Sequence, residues 1–151
     1  MEFKEVISEY HKMIYHISLG YLRNKEDAED MVQEVFVKYV KYVKSGKSFD
    51  DKTHEKYWII RTTMNSCCNS LRKISKKKKS NDEKEYIAPN NTLFDKIQGL
   101  RDIYKNIIIL YYFEEINMQE ISKILEISEE NARIRLKRAR EILEKGLDIK
   151  E

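Results

Sequence analysis

The chain is short of the residues that mark most other fold classes and most enzymes. Four glycines and one proline (Pro89) in 151 residues leave few turn signals, while Leu, Ile, Lys, Glu and Arg are plentiful, so helix is the default class. There is no Gly-rich phosphate loop. The three histidines, His11, His16 and His54, form no motif with a carboxylate or a serine. The only cysteines, Cys67 and Cys68, are adjacent, a spacing that rarely bridges without strain, and no further Cys or His stands at metal-ligand distance in the sequence. A buried, reduced pair is expected. These absences predict a protein that is not an enzyme and takes no metal and no cofactor. No apolar run is long enough to span a bilayer and MEFKEVISEY is not a signal peptide, so no membrane insertion and a cytoplasmic location are expected.

What is present is charge, unevenly spread. The formal net charge is only +3. Residues 1–70 balance 11 basic against 11 acidic residues, residues 71–99 carry 8 against 4, and residues 100–151 carry 10 against 11. Near-neutral totals thus hide local basic patches, which are what a polyanion meets.

Helical apolar spacing runs through Val6, Ile14, Ile17 and Leu22 in a first segment from Glu2 to Leu22. Asn24 then reads as an N-cap for a helix from Lys25 to Lys44, with acids in its first turn and Ala28, Val32, Val35, Phe36 and either Tyr39 or Val43 on its core side. SGKSFDDKTHE, Ser45 to Glu55, reads as a loop before another helix from about Lys56 to Lys73. From Ile74 the periodicity fails through SKKKKSNDEKEYIAPNNT, a composition that cannot bury enough surface to fold alone. The expected organisation is all-α: two small helical domains, 1–74 and 94–151, joined by a flexible basic linker at 75–93.

The second domain contains the dense apolar run IIILYYF and then a helix pair. Asn117 caps NMQEISKIL, Glu126–Ser128 make a three-residue break, and Ser128 caps the next helix. A helix, a tight turn and a second helix at this spacing is a helix-turn-helix arrangement. In the last helix Ala132, Leu136, Ala139 and Leu143 fall within about 60° of one another, a narrow core stripe. Five of the eight residues from Arg133 to Arg140 are basic. The outward face carries Glu130, Ile134, Lys137, Arg138 and Glu141, with Arg133, Arg140 and Asn131 beside it. Two readings stand: a salt-bridged surface helix, or a recognition helix in a major groove, with cations on phosphates or guanines and Ile134 against thymine methyls. Glu129 suits the helix dipole behind the Ser128 cap. Glu130 would repel phosphate, so it either accepts from a cytosine amino group or penalises wrong sites.

The helix from Lys56 to Lys73 divides similarly. Ile60, Met64, Cys67 and Leu71 make a core stripe, and opposite lie Trp58, Thr62, Asn65 and Asn69, with Arg61, Arg72 and Lys73 adjoining. An exposed aromatic bordered by amides and arginines suits unstacked DNA bases; alternatively Trp58 packs as core against the first helix. Lys76–Lys79 either are solvated or extend the positive surface. The helix Lys25–Lys44 carries the opposite sign, with Asp27, Asp30, Gln33 and Glu34 on one face. That face is either solvated or a dock for a basic partner.

Three of these stretches together resemble the short two-domain bacterial sigma factors of the extracytoplasmic-function (ECF) type. YLRNKEDAEDMVQEVFVKYV is similar to that family's polymerase-binding helix, YWIIRTTMNSCCNSLRK to its promoter-melting helix, and ILEISEENARIRLKRAREIL to its recognition helix. The resemblance implies an alternative sigma factor whose partners are core RNA polymerase (the beta-prime clamp helices and the beta flap), promoter DNA and an anti-sigma factor. Asp27, Asp30, Gln33 and Glu34 would dock on the clamp helices. The loop Ser48–Lys56, with Ser48, Phe49 and Lys56, would capture a base flipped from the minus-ten element, and Trp58, Arg61, Thr62, Asn65, Asn69, Arg72 and Lys73 would hold the opened strand. Glu130, Asn131, Arg133, Ile134, Lys137 and Arg138 would read the minus-thirty-five element. The chain departs from the family at Thr62, Thr63, Asn69, Glu130, Asn131 and Ile134. It also has Glu126 where the turn usually has glycine, so that turn either avoids positive φ or carries roughly 1–2 kcal/mol of strain. The competing readings are a stand-alone helix-turn-helix regulator, which would normally dimerise, and a helical adaptor that binds no DNA.

Overall fold

The computed structural model describes residues 2–81 and 93–148, without the side chains of 75–81, 94 and 146–148. Among the described residues the chain is helical and has no strand. It divides into two compact units, residues 1–71 and 72–151.

In the first unit α1 (Phe3–Leu22) and α2 (Lys25–Lys44) are joined by two residues. Arg23 takes the left-handed conformation (φ 54°) and its N–H closes α1 on the Leu19 carbonyl. Asn24 is the expected cap: its side chain accepts from Asp27 N at 2.8 Å. Val6, Ile14 and Ile17 on α1 and Ala28, Val32, Val35 and Phe36 on α2 are buried, as the spacing requires, but at the end of α1 Tyr21 is the buried residue and the expected Leu22 is only half-buried. Of the two candidates at the end of α2, Tyr39 is buried and Val43 exposed.

The third helix, α3 (Lys52–Asn81), begins earlier than expected. Asp51 initiates it, accepting from His54 N at 2.8 Å while its carbonyl accepts from Glu55 N. This N-cap signal was hidden among neighbouring polar residues. Helical backbone also continues past Ile74 to Asn81. Lysine is a good helix former and no glycine or proline interrupts this stretch. The rest of the anticipated linker, 82–92, lies outside the described residues. The buried face of α3 is wider than one stripe: Ile59, Thr63, Ser66 and Cys68 join Ile60, Met64 and Cys67, whereas Leu71, expected in the stripe, is only half-buried. Thr63 is accommodated because its hydroxyl donates to the Ile59 carbonyl at 2.8 Å.

The second unit comprises α4 (Leu93–Gln98), α5 (Asp102–Ile108), α6 (Met118–Leu125) and α7 (Glu129–Asp148). From Ile109 to Phe113 α5 loosens into a π-helical turn. Ile107–Leu110 are buried, whereas Tyr112 and Phe113 emerge at the surface. Helix α7 packs on α4, α5 and α6. Its contact stripe is Ala132, Leu136, Ala139 and Leu143, all buried, and the alanines permit close helix approach.

Candidate promoter and polymerase interfaces

Helix α2 separates its residues cleanly. Asp27, Asp30, Gln33 and Glu34 are all exposed, opposite buried Ala28, Met31, Val32 and Val35. Glu34 pairs with Lys38 at 3.3 Å, and Lys38 also donates to Ser66 Oγ at 2.7 Å, so the acidic strip is bounded on one side by an anchored cation. Val37, 52 % exposed, lies on the same face and escaped sequence reasoning because a single valine carries no pattern.

The expected minus-ten residues fall into two groups. Asn65, Asn69, Arg72 and Lys73 are exposed along α3, while Arg61 and Thr62 are half-buried. Trp58 and Phe49 are instead drawn into an aromatic cluster. Phe49 stacks on Tyr42 (centroids 5.0 Å apart, planes 17° apart) and on Tyr39 at 5.8 Å, and Trp58 lies 4.7 Å from Tyr42 and 5.6 Å from Phe49. The expected exposure of Trp58 is therefore corrected, as is its alternative: Trp58 is half-buried against α2 and Phe49, not packed as core on α1. Burying large ring surface against other rings outweighs leaving it in water. Ser48 is exposed in a loop that ends at Asp51, and Lys56, half-buried, belongs to α3. Lys47 stands over the Tyr42 ring at 5.4 Å, which puts a cation at the rim of the cluster.

Beneath this surface Glu55 is buried and accepts from Tyr39 Oη and Tyr10 Oη. Burial, and then the neighbouring Glu55 charge, push the Tyr10 phenol up to about 12. Tyr39 is raised further by burial and by its hydrogen bond to Glu55. Cys67 is fully buried with Sγ 3.7 Å from Ser18 Oγ, and burial raises its thiol to about 12, so neither geometry nor ionisation favours chemistry there.

The helix-turn-helix forms at the expected residues. Asn117 accepts from Glu120 N and Ser128 from Asn131 N, at 2.8 and 3.0 Å. Between them Glu126 adopts the left-handed conformation (φ 60°, ψ 44°). Its N–H and that of Ile127 close back on the Lys123 and Ser122 carbonyls. This is a Schellman turn built without glycine. On α7 Glu130, Asn131, Arg133, Ile134, Lys137 and Arg138 are all exposed, Ile134 to 40 %. Arg133 pairs with Glu129 at 2.6 Å. Arg140 Nε donates to Tyr112 Oη at 2.6 Å, tying α7 to the π-helical turn.

Beside that tie lies an apolar groove of about 330 Å³, lined by Leu93, Ile97, Ile108, Tyr112, Phe113 and Leu143, with Arg140 and Glu144 among its walls. Two of its lining residues, Tyr112 and Phe113, stand on the π turn, which sequence periodicity does not encode. Among the described residues no cluster of His, Cys, Asp or Glu could hold a metal ion, and no helix is long and apolar enough to cross a membrane.

Comparison with known proteins agrees with this geometry. Residues 6–77 match the family profile Sigma-70 region 2, and residues 91–143 match Sigma-70, region 4. The ECF RNA polymerase sigma factor SigW of Bacillus subtilis (strain 168) is 27 % identical, the match covering 96 % of this chain and 88 % of SigW. SigM of the same organism is also 27 % identical, over 95 % of this chain and 93 % of SigM. Among solved structures, the sigma factor RpoE of Bartonella quintana, crystallised with the anti-sigma factor NepR, superposes with a TM-score of 0.65 at 16 % identity, covering 99 % of this chain and 98 % of that one. CnrH, in complex with the cytosolic domain of CnrY, gives 0.62 at 16 % identity, covering 99 % and 89 %. With both regions matched in order along one short chain, the protein belongs to the sigma-70 family and is an alternative RNA polymerase sigma factor of the ECF type.

Proposed function

We propose that the chain works in the cytoplasm, without covalent chemistry, by lending core polymerase three differently charged helix faces. The observation that carries this is the opposition of sign between two exposed faces. The α2 face is acidic and the α7 face has a basic centre, so one suits a basic protein surface and the other suits DNA. The acidic strip Asp27, Asp30, Gln33 and Glu34 docks on the beta-prime clamp helices, with Val37 as an apolar contact within it. The face of α3 that bears Asn65, Asn69, Arg72 and Lys73 holds the opened minus-ten strand. The cluster of Phe49, Tyr42 and Trp58, edged by Ser48 and Lys47, offers a surface on which an unstacked base can lie. Binding such bases offsets an unpairing cost of a few kcal/mol. Helix α7 reads the minus-thirty-five element. The groove between Tyr112, Phe113 and Leu143 takes the apolar side of an amphipathic helix, which we assign to the beta flap.

An anti-sigma factor completes the scheme, by analogy with the Bartonella quintana sigma factor crystallised with the anti-sigma factor NepR. Domain roles follow: residues 1–74 dock and melt, 75–93 link, and 94–151 recognise. Run-off transcription tests the whole reading. Purified chain added to core polymerase should direct discrete transcripts from genomic templates that core alone does not produce. A chain that binds DNA without core and yields no transcripts would instead be a stand-alone regulator.

A further inference from the structure

The base-reading chemistry of α7 is narrower than its positive charge suggests. Helix-turn-helix proteins present the N-terminal residues of the second helix to base edges. Among the first six residues of α7, Glu129–Ile134, the only cation is Arg133. Its guanidinium is turned back onto Glu129. That pair sits on the flank of the helix, roughly 60–100° round from the centre of the core stripe at 100° per residue. The outward centre of this half belongs to Glu130 and Ile134, one turn apart and both exposed. Glu130 makes no ion pair among the described residues, whereas its neighbour Glu129 does.

A carboxylate can only accept. In the major groove guanine shows the acceptors N7 and O6, and adenine sets its N7 acceptor beside its amino donor. Cytosine alone offers an amino donor with no acceptor on the same ring edge of the groove. A branched apolar side chain finds its match in the thymine methyl. Four helical residues advance about 6 Å, close to two base-pair steps.

Building on the assignment of α7 to the minus-thirty-five element, we propose that Glu130 selects a cytosine and Ile134 a thymine, within about two base pairs of each other. Specificity at this end of the helix then comes from an acid and a hydrocarbon, while the cations further along hold phosphates. The same carboxylate repels backbone phosphate when its cytosine is absent, so the contact also works against wrong sites.

The test uses reconstituted holoenzyme and a promoter library randomised through the upstream element, with wild type, Glu130→Gln and Ile134→Ala compared. Wild type should enrich one cytosine and one nearby thymine. Glu130→Gln should lose the cytosine preference by about tenfold and gain adenine, which a glutamine amide reads, while other positions stay unchanged. In wild type, uracil in place of the selected thymine should weaken binding several-fold, an effect missing from Ile134→Ala. Circular dichroism checks that both variants keep wild-type helicity. Identical base frequencies for wild type and Glu130→Gln, or equal uracil sensitivity in both Ile134 forms, would overturn the proposal and leave the sigma-factor reading intact. Absence of any enriched upstream element in wild type would overturn the assignment of α7 as well.

Discussion

Tyr39 Oη donates a 2.6 Å hydrogen bond to Glu55 Oε2, and Tyr10 Oη reaches the other carboxylate oxygen at 3.3 Å. All three residues are buried, so one carboxylate ties the first turn of α3 to both α1 and α2 directly below the proposed melting surface. Glu55→Ala leaves two buried hydroxyls without an acceptor and should destabilise the fold by about 2–4 kcal/mol. Glu55→Gln keeps an acceptor and should cost less, about 1–2 kcal/mol. Urea denaturation followed by circular dichroism measures both.

The same arrangement gives the first unit an alkaline limit. Unfolded tyrosine titrates near 10, while the folded Tyr10 phenol is raised to about 12 and Tyr39 is raised in the same direction. Above pH 10 the unfolded chain releases these protons and the native chain retains them, so stability falls as pH rises from 10 through 12. Below pH 10 the contribution is fully present. Tyr39→Phe should lower stability at pH 7 yet flatten its decline between pH 10 and 12. A decline as steep as that of wild type would show that Tyr39 is not one of the groups responsible.

Helices with strong caps or stripes were legible from sequence. Asn24, Asn117 and Ser128 cap as their residue types demand, and the Ala132–Leu143 stripe is buried because its spacing admits one face only. Three features were not legible, each for a physical reason. Trp58 and Phe49 have partners on α2, in another part of the sequence, and the gain from ring packing overrides an exposed helical register. The Asp51 cap is one polar residue among many. The π turn at Ile109–Phe113 depends on how a run apolar on all sides meets its neighbours, which local pattern cannot report.

Glu126 shows how a departure from family pattern becomes a measurable strain. Its φ of 60° places a β-carbon where glycine would have none. Glu126→Gly should therefore stabilise the second unit by about 0.5–1.5 kcal/mol, the relief of left-handed strain less the added backbone freedom of glycine in the unfolded chain. The expected result is a rise in Tm of a few degrees. A fall would mean that contacts of the Glu126 side chain outweigh its backbone strain.

On α2 charge reversal separates docking from folding. Asp30→Arg with Glu34→Arg removes the exposed Glu34–Lys38 pair, worth no more than about 0.5 kcal/mol at such a site, and touches no buried residue. Helicity and Tm should stay close to wild type. Pull-down of core polymerase should drop at least tenfold, because like charges would then meet across a surface that must be basic if the dock is correctly assigned. Retained binding would remove α2 from the polymerase interface.

On α7 the proposed division of labour between base reading and phosphate contact has a salt signature. Lys137 and Arg138 are exposed one turn beyond Ile134. If each neutralises one phosphate, Lys137→Ala and Arg138→Ala should each reduce the slope of log affinity against log salt by about 1, equally on good and poor promoters. Glu130→Gln should behave oppositely. Removing a negative charge near the backbone raises affinity for DNA that lacks the preferred cytosine and lowers it for DNA that has it. Holoenzyme binding at several salt concentrations, on matched and mismatched promoter fragments, distinguishes the two behaviours. A change that is uniform across sequences for Glu130→Gln would make that residue part of the general electrostatic surface and not a reader of bases.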